Sequence, residues 1–150
     1  MERQVITAAV QFNITLGEVD RNLAKAEAAL RRVAARGAQL AVLPEMWSAG
    51  FAYKKLPELA AETPRVLASV AKLSGELGLT VIGSLPELVD GKVCNTSYVT
   101  DRGVLVGSYR KLHLFSLMNE HEHIAAGECT AVVATSQAHC LRPPENRQIA

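Results

Sequence analysis

The sequence predicts an α/β fold, a mixed sheet with helices on one face, from three observations. Residues 40–43 form an apolar run without alternation, the mark of a parallel strand covered on both faces. Two stretches with apolar residues at helical spacing alternate with the first strands. Three β-rich runs then follow at short intervals, separated by turn residues. Taken in order, residues 5–12 are β-branched and apolar and read as a first strand. Asp20 caps a helix reaching about Ala35, with Leu23, Ala26, Leu30 and Val33 on one face, Glu27 and Arg31 as an i,i+4 pair, and Gly37 as the stop. After the strand at 40–43, Thr63 caps a second helix with Pro64 at its first position. Its apolar face is Val66, Leu67, Val70, Leu73 and Leu77, and Gly78 ends it. Strands at 80–85, 92–100 and 104–112 turn at Asp90-Gly91 and Asp101-Arg102-Gly103, and "TAVVAT", residues 130–135, reads as one more short strand. The expected order is β-α-β-α-β-β-β-β.

Bulk composition narrows the function. At 150 residues, 49% hydrophobic and 21% charged, the chain can bury a sizeable core as one domain. A net charge of +1, from 16 basic and 15 acidic residues mixed along the chain, offers no patch for nucleic acid or an anionic membrane. No apolar run reaches bilayer-spanning length, and "MERQVITAAVQF" lacks a secretory pattern. Three cysteines, Cys94, Cys129 and Cys140, are too few and too irregular for a disulfide framework. The expected setting is reducing and cytoplasmic. The glycines of "GELGLTVIGS" fit no phosphate-binding spacing, so no cofactor is implied. The histidines of "HEHI" stand two apart rather than four, which argues against a zinc-protease site, and no metal is expected.

The stretch "LAVLPEMWSAGF", residues 40–51, sets Glu45 directly beyond a buried strand that Pro44 ends. Lys111, in "GSYRKLHLF", stands at the end of a later strand. Strand ends are where open α/β sheets place their sites. A carboxylate, an ammonium and a thiol form a coherent set. The first takes the thiol proton, the thiolate attacks a carbon, and the ammonium stabilises the negative charge that develops. Trp47 and Phe51, after the strand, are candidates to line a pocket, with packing as the commoner role of such aromatics; Cys94 and Cys129 are read as small core or strand residues.

With these residues in place the sequence resembles the nitrilase superfamily of carbon–nitrogen hydrolases, and within it the ω-amidase-like members. "LAVLPEMWSAGF" is similar to the first family signature, whose glutamate is the general base, at Glu45. "YRKLHLFSLMNEHEHIAAGE" is similar to the second, whose lysine stabilises the tetrahedral intermediate, at Lys111. Glu120, seven residues before Gly127, matches a supporting acid that positions substrate and lysine; Glu122 nearby leaves open which of the two simply solvates the loop. The resemblance, spanning residues 5 to about 136, implies one half of an α-β-β-α sandwich and hydrolysis of a small amide, with a nitrile as the lesser alternative, through a cysteine thioester. It also implies release of ammonia and homo-oligomers among full-length members.

The third signature carries the nucleophile. In "AHCLRPPENRQIA", Cys140, Leu141, Arg142, Pro144 and Glu145 resemble it, while "SQAH" replaces the apolar strand that leads into the cysteine. Residues 1–136 are therefore expected to form a partial hydrolase domain, and 137–150 an irregular tail, truncated or altered relative to the family. A second class stays open: a non-catalytic chain of this family, either an inactive truncated fragment or a subunit that associates through its unpaired sheet.

Overall fold

The computed structural model describes residues 4–137. Among the described residues five strands form one sheet in sequence order: β1 (Thr7–Ala9), β2 (Leu40–Val42), β3 (Thr80–Val89), β4 (Lys92–Asp101) and β5 (Val104–Arg110). The pairs β1·β2 and β2·β3 are parallel, β3·β4 and β4·β5 antiparallel, so the sheet is mixed as expected. Helices α1 (Val19–Ala34), α2 (Leu56–Ala60) and α3 (Thr63–Leu77) complete the regular structure of the described residues, with short 3₁₀ turns at Tyr53–Lys55, Ser116–Met118 and Glu120–Glu122.

The core forms where the two long helices meet one face of the sheet. Leu23, Ala26 and Leu30 of α1 and Val66, Val70 and Leu73 of α3 pack on Val81 and Leu85 of β3 and on Tyr98 of β4. Gly83, which pairs with Tyr98, lies on that same face. A Cβ on Gly83 would stand 2.9 Å from both the Leu43 Cβ and the Trp47 Nε1, so the absence of a side chain lets the buried indole lie against the strand. Gly83→Ala should therefore lower stability by about 1–3 kcal/mol, the usual cost of overpacking a core. Urea unfolding with an unchanged midpoint would show that the indole can shift at no cost.

Both tight turns are two residues long, and positive φ at Asp90 (48°), Gly91 (77°), Arg102 (47°) and Gly103 (96°) matches the twist of the flanking strands. Strand β3 continues beyond the expected end through Pro86. The Pro86 carbonyl accepts the Thr63 hydroxyl (2.6 Å), so the side of Pro86 that lacks an N–H faces α3 and not the β4 ladder.

Several expectations are corrected. Asp20 does not cap α1; the cap position is Glu18, without a side-chain bond, and Asp20 pairs with Arg65 across the helix interface (2.7 Å). Thr63 lies inside α3 because its hydroxyl is taken by Pro86. Arg31 pairs with Glu76 of the neighbouring helix (3.2 Å) rather than with Glu27. Residues 130–135 form no strand: Val133 comes against Gly107 of β5, and Ser136 is tied to Asp101. A β-branched run has strand propensity, but propensity supplies no ladder partner. Helix α2, between the two long helices' territories, was not foreseen. Among the described residues no helix is long and apolar enough to cross a membrane.

Candidate active site

The loop after β2 carries Glu45 to the opposite face of the sheet. Leu43 continues the β2·β3 ladder by donating to the Ile82 carbonyl (2.8 Å), and Pro44 then stops it. The chain turns sharply, with Met46 in the left-handed region at φ 50°, a conformation that disfavours a non-glycine residue by about 1–2 kcal/mol. Three groups hold this turn. The Met46 N–H donates to the Ser84 Oγ (2.8 Å). The buried Asn22 side chain donates to the Ser48 carbonyl (2.9 Å) while also bonding both backbone groups of Thr15. Below it, Met46, Ala49 and Leu56 form a second small core with Val93 and Ile124.

Lys111 arrives from the other side. Its N–H donates to the Asn95 carbonyl (2.9 Å), extending the β4·β5 ladder one step beyond Arg110 and fixing Lys111 beside Asn95. The Lys111 Nζ donates to the Glu45 Oε1 (2.8 Å) and to both oxygens of Glu120, at 3.0 Å and 2.9 Å. The Asn95 Nδ2 donates to the same Glu45 Oε1 (2.8 Å). Among the described residues nothing donates to the Glu45 Oε2, and the Glu45 side chain is 49% exposed. One oxygen is thus fixed and the other is open.

Glu120 is 1% exposed and also accepts the Phe115 N–H (2.6 Å). Burial disfavours its charged form, but the Phe115 N–H and the Lys111 ammonium outweigh that and hold its carboxyl below the usual range. Burial likewise pulls Lys111 down, and the hydrogen bonds to Glu45 and Glu120 reverse it, leaving its pKa raised. Lys111 is therefore a fixed cation. The segment after Glu120 closes back on the strand ends: Ala125 donates to the Val93 carbonyl (2.7 Å) and Gly127 to the Lys111 carbonyl (2.8 Å). A Cβ on Gly127 would collide with the Arg110 carbonyl, which accounts for the glycine there.

Of the residues singled out in the sequence, Glu45, Lys111 and Glu120 converge. Glu122 stays exposed on the loop, so the side chain that meets Lys111 is that of Glu120. Trp47 is core, whereas Phe51 lines a cavity of about 610 Å³ together with Glu45, Tyr53, Lys111, His113, Leu114, Phe115 and Glu120. Cys94 is buried in β4; Cys129 is exposed and outside any strand, contrary to expectation. Cys140 and the rest of the expected tail, from residue 138, lie outside the described residues. Sequence reasoning missed Asn95, Ser84 and Tyr53. The alternation of "NTS" in β4 held a signal for the first, since Asn95 and Ser97 fall on one face two residues apart.

The family model for carbon–nitrogen hydrolases matches residues 6–142. The 2-oxoglutaramate amidase of Bacillus subtilis (strain 168) is 36% identical over 123 residues, covering 80% of this chain and 47% of that protein. The chloroplastic omega-amidase of Arabidopsis thaliana is 31% identical over 147 residues, covering 83% of this chain and 40% of its own. In structure, the chain resembles a mutant amidase from Nesterenkonia sp. AN1 with the acetamide moiety of fluoroacetamide covalently added at its active-site cysteine. That likeness has a TM-score of 0.75 at 21% identity and covers 83% of this chain and 49% of the other; it speaks for the fold. The chain spans about half the length, or less, of the relatives it matches.

Proposed function

The chain belongs to the carbon–nitrogen hydrolase family, and from that premise we propose that it hydrolyses a small ω-amide through a cysteine thioester, releasing ammonia. The observation that carries the reading is the division of labour on Glu45, which lines the cavity: Oε1 is held by Lys111 and Asn95, and Oε2 has no donor among the described residues. A carboxylate fixed through one oxygen presents the other as a proton acceptor in a defined direction, as a general base requires.

Cys140 is the nucleophile in this proposal, and the family match extends to residue 142 and so includes it. Glu45 takes the thiol proton as sulfur attacks the amide carbon. Lys111, kept charged by two carboxylates, stabilises the oxyanion that forms. The proton on Glu45 passes to the departing nitrogen and ammonia leaves. Water, deprotonated by Glu45, then opens the thioester and frees the acid and the thiol. Glu120 touches neither step; it holds the ammonium in place from a buried position. The names of the B. subtilis and A. thaliana relatives, both amidases, support an amide as substrate. They lend no support to a non-catalytic chain.

The test is ammonia release from small primary amides by the purified protein and by Cys140→Ser. Turnover that vanishes in the serine variant supports the reading. Turnover undiminished in Cys140→Ser would assign the nucleophile elsewhere.

A further inference from the structure

Tyr53 occupies the wall of the cavity that holds Glu45, Lys111 and Glu120, and the mechanism above leaves it without a task. Its ring is clamped. The His123 imidazole stacks on it at a centroid distance of 4.5 Å and an interplanar angle of 15°, and Phe51 meets it at 5.9 Å and 57°. Beneath, the ring packs against the small core around Met46, Leu56 and Ile124. Such a ring has little freedom to turn.

Its hydroxyl, by contrast, has no hydrogen-bond partner among the described residues. The charges of Glu120, Lys111 and Glu45 all act on it. Burial, and then the Glu120 carboxylate, push its pKa above the ordinary tyrosine value, so at neutral pH the oxygen keeps its proton. A clamped, protonated and unpaired donor beside the reacting groups is prepared for an acceptor that arrives with the ligand.

Resting on the amidase reading, we propose that Tyr53 is a specificity-determining residue whose hydroxyl donates a hydrogen bond to an acceptor oxygen in the substrate's acyl chain, selecting amides that carry such an oxygen over plain alkyl amides. With a primary amide the leaving group is only ammonia, so the cavity has nothing but the acyl group to select on. A site that offers a donor discriminates against a ligand lacking the acceptor, because binding then desolvates the donor without replacing its bond.

The experiment uses pairs of near-isosteric amides: methoxyacetamide against butyramide, and acetoacetamide against isovaleramide. In each pair an ether or ketone oxygen replaces a hydrocarbon group. Tyr53→Phe keeps the ring, its stacking on His123 and the packing beneath it, and removes only the hydroxyl. The expected result is a fall of about 10-fold or more in the kcat/KM ratio of the oxygenated to the alkyl amide, carried mainly by KM, for at least one pair. Ratios that stay constant in both pairs, with or without a common loss of rate, overturn the assignment while leaving the amidase reading intact. Absence of turnover on every amide by the unsubstituted protein overturns that reading, and this one with it.

Discussion

Glu45→Gln should lose nearly all amide hydrolysis, by about 10²–10⁴-fold, the usual worth of a general base, with its thermal unfolding midpoint essentially unmoved. The geometry separates the two effects. Glutamine retains a carbonyl oxygen that can accept from Lys111 and Asn95 as Oε1 does now. Its NH₂ group takes the place of Oε2, where no described residue donates and where the side chain is half-exposed, so no donor is set against a donor. What disappears is the ability to accept a proton. More than about a tenth of wild-type turnover would be too much for an enzyme without its base.

Lys111→Met should be as inactive and, unlike Glu45→Gln, clearly destabilised. Glu120 is 1% exposed and keeps the Phe115 N–H as a donor, but the cation that made its burial tolerable is gone. Stranding one member of a buried pair costs about 3–5 kcal/mol when both are fully dry; the Lys111 side chain is 26% exposed, which points to the lower end. The deficit should depend on pH with a definite sign. The folded state holds the Glu120 carboxyl below its ordinary 4.5, so the pair's contribution is present above that value and fades as pH falls through the lower, folded pKa. It holds Lys111 above its ordinary 10.5, so the contribution is present below that value and fades as pH rises through the higher, folded pKa. The gap in unfolding free energy between wild type and Lys111→Met is thus widest between these limits and narrows in acid. Lys111→Met combined with Glu120→Gln should recover much of the stability and none of the activity. A pH-independent gap in denaturant titrations would mean that lost packing, not the stranded carboxylate, is responsible.

What the sequence made legible follows from which forces are local. The apolar run at 40–43 stopped by Pro44, the faces of α1 and α3, and the Asp90-Gly91 turn are each decided within a few residues, and all appear where expected, although the strand at 40–43 is not covered on both faces: Val42 is 41% exposed. Glu45, Lys111 and Glu120 were legible because they stand in recognisable motifs. Their mutual bonding was not, since it depends on β4 lying between them in the sheet. Asn95 illustrates the limit: its contact with Glu45 crosses 50 residues, and nothing near it in the chain announces a partner. The cap positions failed for a related reason. Asp20 and Thr63 have the right chemistry for caps, but tertiary partners, Arg65 and the Pro86 carbonyl, claim their side chains. The run at 130–135 failed because a strand is a relation between two segments, and β-branching describes only one of them.

The three charged groups also differ in how far apart the chain must be gathered to join them. Lys111 and Glu120 are separated by nine residues, Lys111 and Glu45 by 66. By loop-closure entropy alone, recruiting Glu45 costs about 2 kcal/mol more than recruiting Glu120. The antiparallel half, β3 to β5, is sewn together by two-residue turns and carries Lys111 and Glu120 on or just past its own end. Glu45 belongs to the parallel half, whose pairing waits on long connections. Assembly of the constellation is therefore expected to be asymmetric in time, with the ammonium and its buried partner forming an early, local unit and the base docking late. The reverse order governs breathing of the folded state. Amide exchange at Met46, on the base's turn, should outpace exchange at Lys111, making the loss of Glu45 from the cluster the first step by which the site comes apart.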